Sequence, residues 1–439
     1  MSTPPPLHLA VALDGTGWHP AAWREPGARP HDLFTARYWA DLVNEAERGL
    51  LDFVTFEDAL GLQSSHLTEP DERTDQVRGR LDAVLVAARV APLTRHIGLV
   101  PTVVATHTEP FHMSKAIATL DYVSAGRAGL RVQVSARQNE AAHFGRRTFP
   151  RLRFDDRDTP DGRELIADLF EEAADYIEVV RRLWDSWEED AEIRDVATGQ
   201  FIDRDKLHYI DFGGRHFSVK GPSITPRPPQ GQPIVSALAH QSVPYQLVGR
   251  SADIGYVTPH DTDQARAVIA EIRAAQAEAG RAEEPLHIFG DLVVFLDDDP
   301  AAAEDRKARL DGLAGYAYTS DAKVFTGTPG QLWRECAAAE NLSIRELVIE
   351  TTGRQSFIGS PATVAETINA FVQADAADGF ILVPHITPGG LDEFADIVVP
   401  LLQERGVFRH DYTGTTLRDH LGLAHPDARA EPETRRAES

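Results

Sequence analysis

The chain is 439 residues long and 42% hydrophobic, and its 68 acidic and 44 basic side chains give a formal charge of −24. That length and apolar content suffice for one large domain with a substantial core, and they exclude wholesale disorder. The acidic balance repels phosphate backbones and anionic lipid, so nucleic acid and membrane surfaces are not expected partners.

Leu7–Leu13 reads as an apolar strand closed by the turn Asp14-Gly15-Thr16-Gly17. In His31–Gly49, Leu33, Tyr38, Trp39, Leu42, Val43 and Ala46 recur at helical spacing, and Gly49 stops the helix. Leu51–Phe56 is a second strand running into Glu57-Asp58, and Leu81–Ala91 a second helix. Ile97–Val104 is a third strand, expected to be interrupted by Pro101, and Pro110–Ser124 a helix with proline in its first turn. Gly129–Ser135 is the fourth strand, and the polar residues after it restart as a helix. Gly162–Trp187 is a long helix with Leu165, Leu169, Ala173, Tyr176, Val180 and Leu183 on one stripe.

Asp190–Pro229 breaks the rhythm with a hairpin around Gly213-Gly214 and a rigid proline-rich run. Strands Ile234–Leu238, Ile254–Thr258 and His287–Leu296 then alternate with helices Val243–Ser251, Asp263–Ala279 and Pro300–Leu313. Gly315–Gln355 is a second excursion, partly helical around Gly330–Glu340. Pro361–Ala374 is a helix, Gly379–Pro384 the eighth strand, and Leu391–Glu404 the helix behind it; 425–439 reads as a disordered tail. The single cysteine, Cys336, allows no intramolecular disulfide. The N-terminus lacks the basic stretch of a secretory signal, and no apolar run approaches the ~20 residues that cross a bilayer. A cytoplasmic protein is the expectation.

Strands that alternate with helices must pair in parallel, because each helix is the crossover that returns the chain. Eight such units close into an α/β (β/α)8 TIM barrel, here a single domain over 1–424 with insertions near 190–229 and 315–355. An open doubly wound sheet is the competing architecture, weakened because no G-x-G-x-x-G follows the first strand.

In such a barrel the working residues sit at the C-terminal strand ends. Those ends carry Asp14; Glu57 and Asp58; Thr102 and Thr106; Gln133, Ser135 and Arg137; His240, Gln241 and Ser242; Thr258 and His260; and His385. Alternation turns Leu130, Val132 and Val134 one way and Arg131, Gln133 and Ser135 the other. The polar face suits a barrel mouth that holds a polar ligand, or a sheet with one wet face. An inward arginine must be paired or meet an anion, so Arg131 either pairs with Asp14, Glu57 or Asp58 or contacts an anionic ligand. Glu57 and Asp58 face opposite sides as strand neighbours, which favours one salt bridge and one cap over a shared acid/base pair. Gln241-Ser242 opens a helix and either holds a phosphate on its N–H groups or is an ordinary N-cap. Histidines recur near strand ends at His107, His143, His260 and His385, but without H-x-H or H-E-x-x-H no metal site is expected.

Several stretches together resemble a known family: LDFVTFEDAL, RHIGLVPTVVATHTEPFHMSKAIATLDYVSAGRAG, DYIEVVRRLWDSWEEDA, HFSVKGPSITPRPPQGQPIV and FIGSPATVAETINAFVQADAADGFILVPHITPGGLDEFADIVVPLLQERGVFR. The family is that of the bacterial luciferase-like flavin monooxygenases, in the nitrilotriacetate, dibenzothiophene-sulfone and pristinamycin branch, and the similarity covers most of residues 7–423. It implies a TIM barrel that binds FMN at its mouth. A separate flavin reductase, a transient partner, supplies the reduced FMN. Oxygen then forms a flavin C4a-peroxide that oxygenates a small organic substrate away from water. The two excursions become substrate walls or a lid, and a homo-oligomer is expected.

By position, Asp58 and Thr102 match flavin contacts of that family. Leu130-Arg131 stands where the family usually has Trp-Asn. Ile166 and Phe170 replace a His and a Tyr near the FMN phosphate, and Gln241 takes the place of a phosphate-binding serine, with Ser242 beside it. The resemblance therefore implies a cofactor set of Asp58, Thr102, Arg131, Gln133, Ser135, Arg137, His240, Gln241 and Ser242. In that set Arg131 would stabilise the charge of reduced flavin. His66, His107, His143 and His385 are the acid/base candidates by position. A barrel that binds flavin or another ligand without oxygenating, and a deazaflavin-dependent oxidoreductase, are the alternatives.

Overall fold

The computed structural model describes residues 7–63, 72, 74–150, 159–259, 261–314 and 356–427. Eight strands line up side by side: His8–Leu13 (β1), Phe53–Phe56 (β2), Gly98–Val104 (β3), Gly129–Gln133 (β4), Ile234–Leu238 (β5), Ile254–Val257 (β6), His287–Leu296 (β7) and Gly379–Leu382 (β8). Each pairs in parallel with the next, and β8 returns to β1, so the sheet closes into a barrel. The helices between them are Ala36–Arg48 (α1), Ala83–Val90 (α2), Pro110–Val123 (α3), Gln138–Phe144 (α4), Pro160–Trp184 (α5), Ser242–Ser251 (α6), Thr262–Glu278 (α7), Pro300–Ala314 (α8) and Pro361–Gln373 (α9). Among the described residues no helix is long and apolar enough to cross a membrane.

The strand period of two divides the core. Ala10, Phe53, Val100, Ile234, Tyr256, Phe289 and Ile381 point inward and pack against one another. Their neighbours Leu9, Val54, Leu99, Leu130, Val235, Ile288 and Leu382 point outward under the helices.

Local capping trims the expected elements. Thr35 accepts the Tyr38 N–H, so α1 starts at Ala36, and Pro30–Asp32 is a separate 3-10 turn. Asp82, Thr159, Asp261 and Ser360 cap α2, α5, α7 and α9 in the same way. Pro101 does not interrupt β3; it cuts the β3–β4 ladder instead. Leu99 bridges Ala128 in isolation and regular pairing resumes at Thr102 with Arg131, because proline has no N–H to donate between them. The helix expected over Leu391–Glu404 contains a π-turn, Phe394–Val398, just before Pro400. That proline cannot donate back four residues, and the wider turn absorbs the loss.

Further elements lie outside the sequence reading. Ser356–Gly359 adds a parallel strand beside the upper half of β7. The first excursion holds two hairpins, Glu192–Asp195 with Gln200–Ile202 and Phe212–Gly213 with Ser218–Val219, where one was expected. The short helix Leu417–His420 closes the lower end of the barrel, where Leu417, Leu421 and Leu423 join the inner cluster.

The first excursion was expected to wall or cover the substrate. Its contacts run along α5, from Ser223, whose N–H donates to Ser186 Oγ, to Arg215 at 2.9 Å from Asp168. It leaves from the α5 C-terminus and returns to the start of β5, which are both at the end opposite the mouth. The second excursion, 315–355, and the tail beyond 427 lie outside the described residues.

Candidate active site

The C-terminal strand ends form a mouth whose loops meet closely. A β-carbon on Gly17, after β1, would sit 2.5 Å from Ile386 Cα, after β8, and only glycine permits that approach at its φ of +120°. Tyr38 from α1 ties the same corner, its hydroxyl 2.8 Å from the Gly15 carbonyl and 2.8 Å from Thr387 Oγ1.

Below the mouth the lumen turns polar. Phe53, Tyr256 and Phe289 form an aromatic layer with centroids 5.7–6.4 Å apart. Above it lies a row set by register. Thr102 pairs with Arg131 and Arg131 with Ser236, and the Phe56–Pro101 pairing carries Glu57 to the same level. Arg131 is only 6% exposed. It donates to the Glu57 carboxylate, its Nη1 stands 3.5 Å from Thr102 Oγ1, and its guanidinium carbon lies 5.6 Å from the Tyr256 ring centroid. Burial works against its charge, but Glu57 and Asp291 outweigh burial and raise its pKa above the ordinary arginine value.

Of the partners open to Arg131, the fold realises Glu57. Asp14 is taken by Arg80, at 2.6 and 3.2 Å. Asp58 faces the other side of the strand end, where it accepts the Ala59 N–H at 2.7 Å and the Ala83 N–H at 3.0 Å as α2 begins. Burial pushes the Asp58 carboxyl up. The two neighbours thus divide into one ion-paired and one capping residue.

On the rim after β5, His240 Nδ1 lies 3.2 Å from Thr258 Oγ1, which donates to Asp291 at 3.1 Å. α6 then opens with Gln241 as an extended N-cap whose side chain makes no capping bond, and Gln241 and Ser242 are exposed. Gln133 is half-buried, two residues above Arg131 on the same face. Ser135 and Arg137 are engaged in the turn into α4. Ser135 Oγ donates to Glu140 at 2.6 Å, and Arg137 pairs with Glu140 at 3.4 Å.

The histidines separate widely. His385 is 2% exposed, stacked on Phe295 with centroids 4.3 Å apart, and its Nδ1 has no hydrogen-bond partner among the described residues. Burial, helped by Arg306, pushes its pKa down to about 4. His107 is stacked on Phe144 at 5.2 Å and is also pushed down by burial; its Nε2 likewise lacks a partner among the described residues. His143 is exposed on α4, while His66 and His260 lie outside the described residues.

The fold therefore brings Thr102, Arg131 and Gln133 together in the lumen and sets His240, Gln241 and Ser242 on the adjacent rim. Ser135 and Arg137 are committed to a turn. The sequence reading missed Asp291, Tyr256, Ser236 and Arg80. Asp291 had a signal, as the one carboxylate within the apolar strand HIFGDLVVFL. Arg80 had none, because its partner Asp14 is far away in the chain.

The profile of the family described as luciferase-like monooxygenase matches residues 16–378. The chain is 32% identical to nitrilotriacetate monooxygenase component A of Aminobacter aminovorans, covering 96% of this chain and 97% of that one. It is 33% identical to N-acetyl-S-(2-succino)cysteine monooxygenase of Bacillus subtilis (strain 168), with the same coverage. Among solved structures, a riboflavin lyase with modified FMN and riboflavin superposes with a TM-score of 0.81 at 25% identity, over 97% of both chains.

Proposed function

Because the chain belongs to the luciferase-like monooxygenase family, we propose that it is the oxygenase of a two-component system. It takes up FMN reduced by a separate flavin reductase and inserts one atom of dioxygen into a small organic substrate. The observation that carries this reading is the juxtaposition of a polar lumen face, Thr102, Arg131 and Gln133, with the uncapped start of α6 at Gln241-Ser242 on the next strand. FMN needs both a polar wall along its ring and N–H groups for its phosphate. The residues fit that group, with its phosphate side altered. Ile166 and Phe170, half-buried on α5, offer no polar contact, so His240, Gln241, Ser242 and the α6 N–H groups would hold the anion.

When bound, reduced FMN supplies the electrons that activate dioxygen. The chain positions and shields. Arg131 and Thr102 orient the ring, while Asp58 fixes the end of β2 from the other side by accepting the N–H groups of Ala59 and Ala83. His385 and Phe295 wall off water at the β7–β8 side. His385 is neutral near physiological pH and its buried Nδ1, which has no partner among the described residues, is free to accept a hydrogen bond from a bound ligand, so it would serve as a positioning acceptor and not as an acid. The component designation of the Aminobacter relative supports a separate reductase.

Anaerobic titration with dithionite-reduced FMN, then mixing with oxygen and a panel of small organic acids, amines and sulfur compounds, tests the proposal. Saturable binding and substrate-dependent oxygen uptake with product are expected. Failure to bind either redox form of FMN overturns it, and binding without turnover across the panel favours a flavin-binding barrel.

A further inference from the structure

We infer that Glu57 sets how much of the Arg131 charge a bound flavin meets, and thereby the preference of this chain for reduced over oxidised FMN. The inference rests on the FMN reading above. Its geometry comes from one row of side chains across three strands: Glu57 at the end of β2, Thr102 on β3 and Arg131 on β4. Arg131 reaches past Thr102 to the Glu57 carboxylate. Of the two partners Glu57 is the more open, with 20% of its side chain exposed against 7% for Arg131, and it continues β2 toward the mouth. The carboxylate is thus the more accessible half of the pair.

A lone buried arginine below the mouth would draw in an anion. Paired with Glu57 it presents a neutral couple instead. The other charged or titratable groups acting on Arg131 are Asp291 from β7 and the Tyr256 phenol from β6. Arg80, bound to Asp14, acts on Glu57 and Asp58 from the rim. Among the described residues Glu57 is the carboxylate seen to accept directly from the guanidinium, so it is the group whose removal exposes that charge. Two electrons and one proton convert the neutral oxidised isoalloxazine ring of FMN to an anion while its phosphate charge is unchanged, so a released cation favours the reduced form selectively.

The test is equilibrium binding of oxidised FMN, and anaerobically of reduced FMN, to the native chain, Glu57→Gln, Arg131→Gln and the double variant, at one pH above neutrality. The ratio of reduced to oxidised affinity is expected to rise about tenfold or more in Glu57→Gln, to fall by a similar factor in Arg131→Gln, and to return to the native value in the double variant. A tenfold change corresponds to ~30 mV in the two-electron midpoint potential, which dye equilibration reads without turnover. A pair that only supports the fold would weaken both forms alike, so an unchanged ratio in Glu57→Gln overturns the inference. If that variant does not fold, a ratio lowered in Arg131→Gln and restored in the double variant supports it, and equal ratios overturn it. A native chain that binds neither form brings down the FMN reading and this inference together, a result distinct from binding with an unchanged ratio.

Discussion

Leu417 lies against Gly98 so closely that a β-carbon on residue 98 would sit 2.6 Å from Leu417 Cδ1. The contact seals the lower end of the barrel, because Leu417 is fully buried among the inward residues Phe53, Val100 and Ile254. Leu417→Ala should destabilise the chain by about 2–5 kcal/mol through the cavity it leaves. Gly98→Ala should cost about 1–3 kcal/mol through overpacking. Urea denaturation checks both, and a change near zero in either would show that the C-terminal segment does not bear on the barrel.

Arg127 is the second structural test. It is 3% exposed and has no carboxylate within hydrogen-bonding reach among the described residues. Its guanidinium instead donates to the carbonyls of Ser124, Ile97, Ala91 and Thr94 and to Thr94 Oγ1, at 2.7–3.2 Å. This fork ties the end of α3 to the loops before β3 and β4. Arg127→Lys keeps the charge but cannot reproduce five bonds, and a loss of about 2–4 kcal/mol is expected. A lysine variant as stable as the native chain would mean that the fork is dispensable.

The pH dependence of stability should carry the mark of His385. Its folded pKa is about 4 against an ordinary 6.5, so between those values the unfolded chain binds a proton that the folded chain refuses. Stability is therefore complete above about 6.5 and is lost as pH falls toward about 4, by about 3 kcal/mol from this group. His107, His287 and His420 are also depressed and act in the same direction. Denaturation free energies over this range should slope less steeply in His385→Phe than in the native chain. Parallel slopes would show that the His385 imidazole protonates as easily in the folded state as in the unfolded one.

The uncapped α6 offers a test that separates stability from binding. Gln241→Asp supplies a side-chain acceptor to the first-turn N–H groups and a favourable charge at the helix start, so stability should rise by about 0.5–1 kcal/mol. The same carboxylate repels a phosphate there, and FMN affinity should fall by about tenfold. Thermal melting and FMN titration read the two effects independently. Higher stability with unaltered FMN affinity would place the phosphate elsewhere.

The alternation of eight apolar strands with capped helices can be read from the sequence because both periods are local. Each strand shows its neighbours at two residues and each helix its stripe at three and four, and parallel closure follows from the crossovers. The same period showed that Arg131 and Gln133 share a face and that Glu57 and Asp58 do not, whereas Ser135, expected on that face too, lies beyond the end of the strand. Which carboxylate meets Arg131 was not readable, since Glu57, Asp14 and Asp58 are equivalent until register carries Glu57 level with Thr102. Closure of the barrel also set Asp291 beside Thr258, gave Arg80 to Asp14, bound Ser135 into a turn and brought Leu417 under the floor. Local composition determined the elements and the faces they turn inward. The pairings in the lumen were decided only when strands distant in sequence were held at fixed register, because no side chain carries information about a partner it meets across the ring.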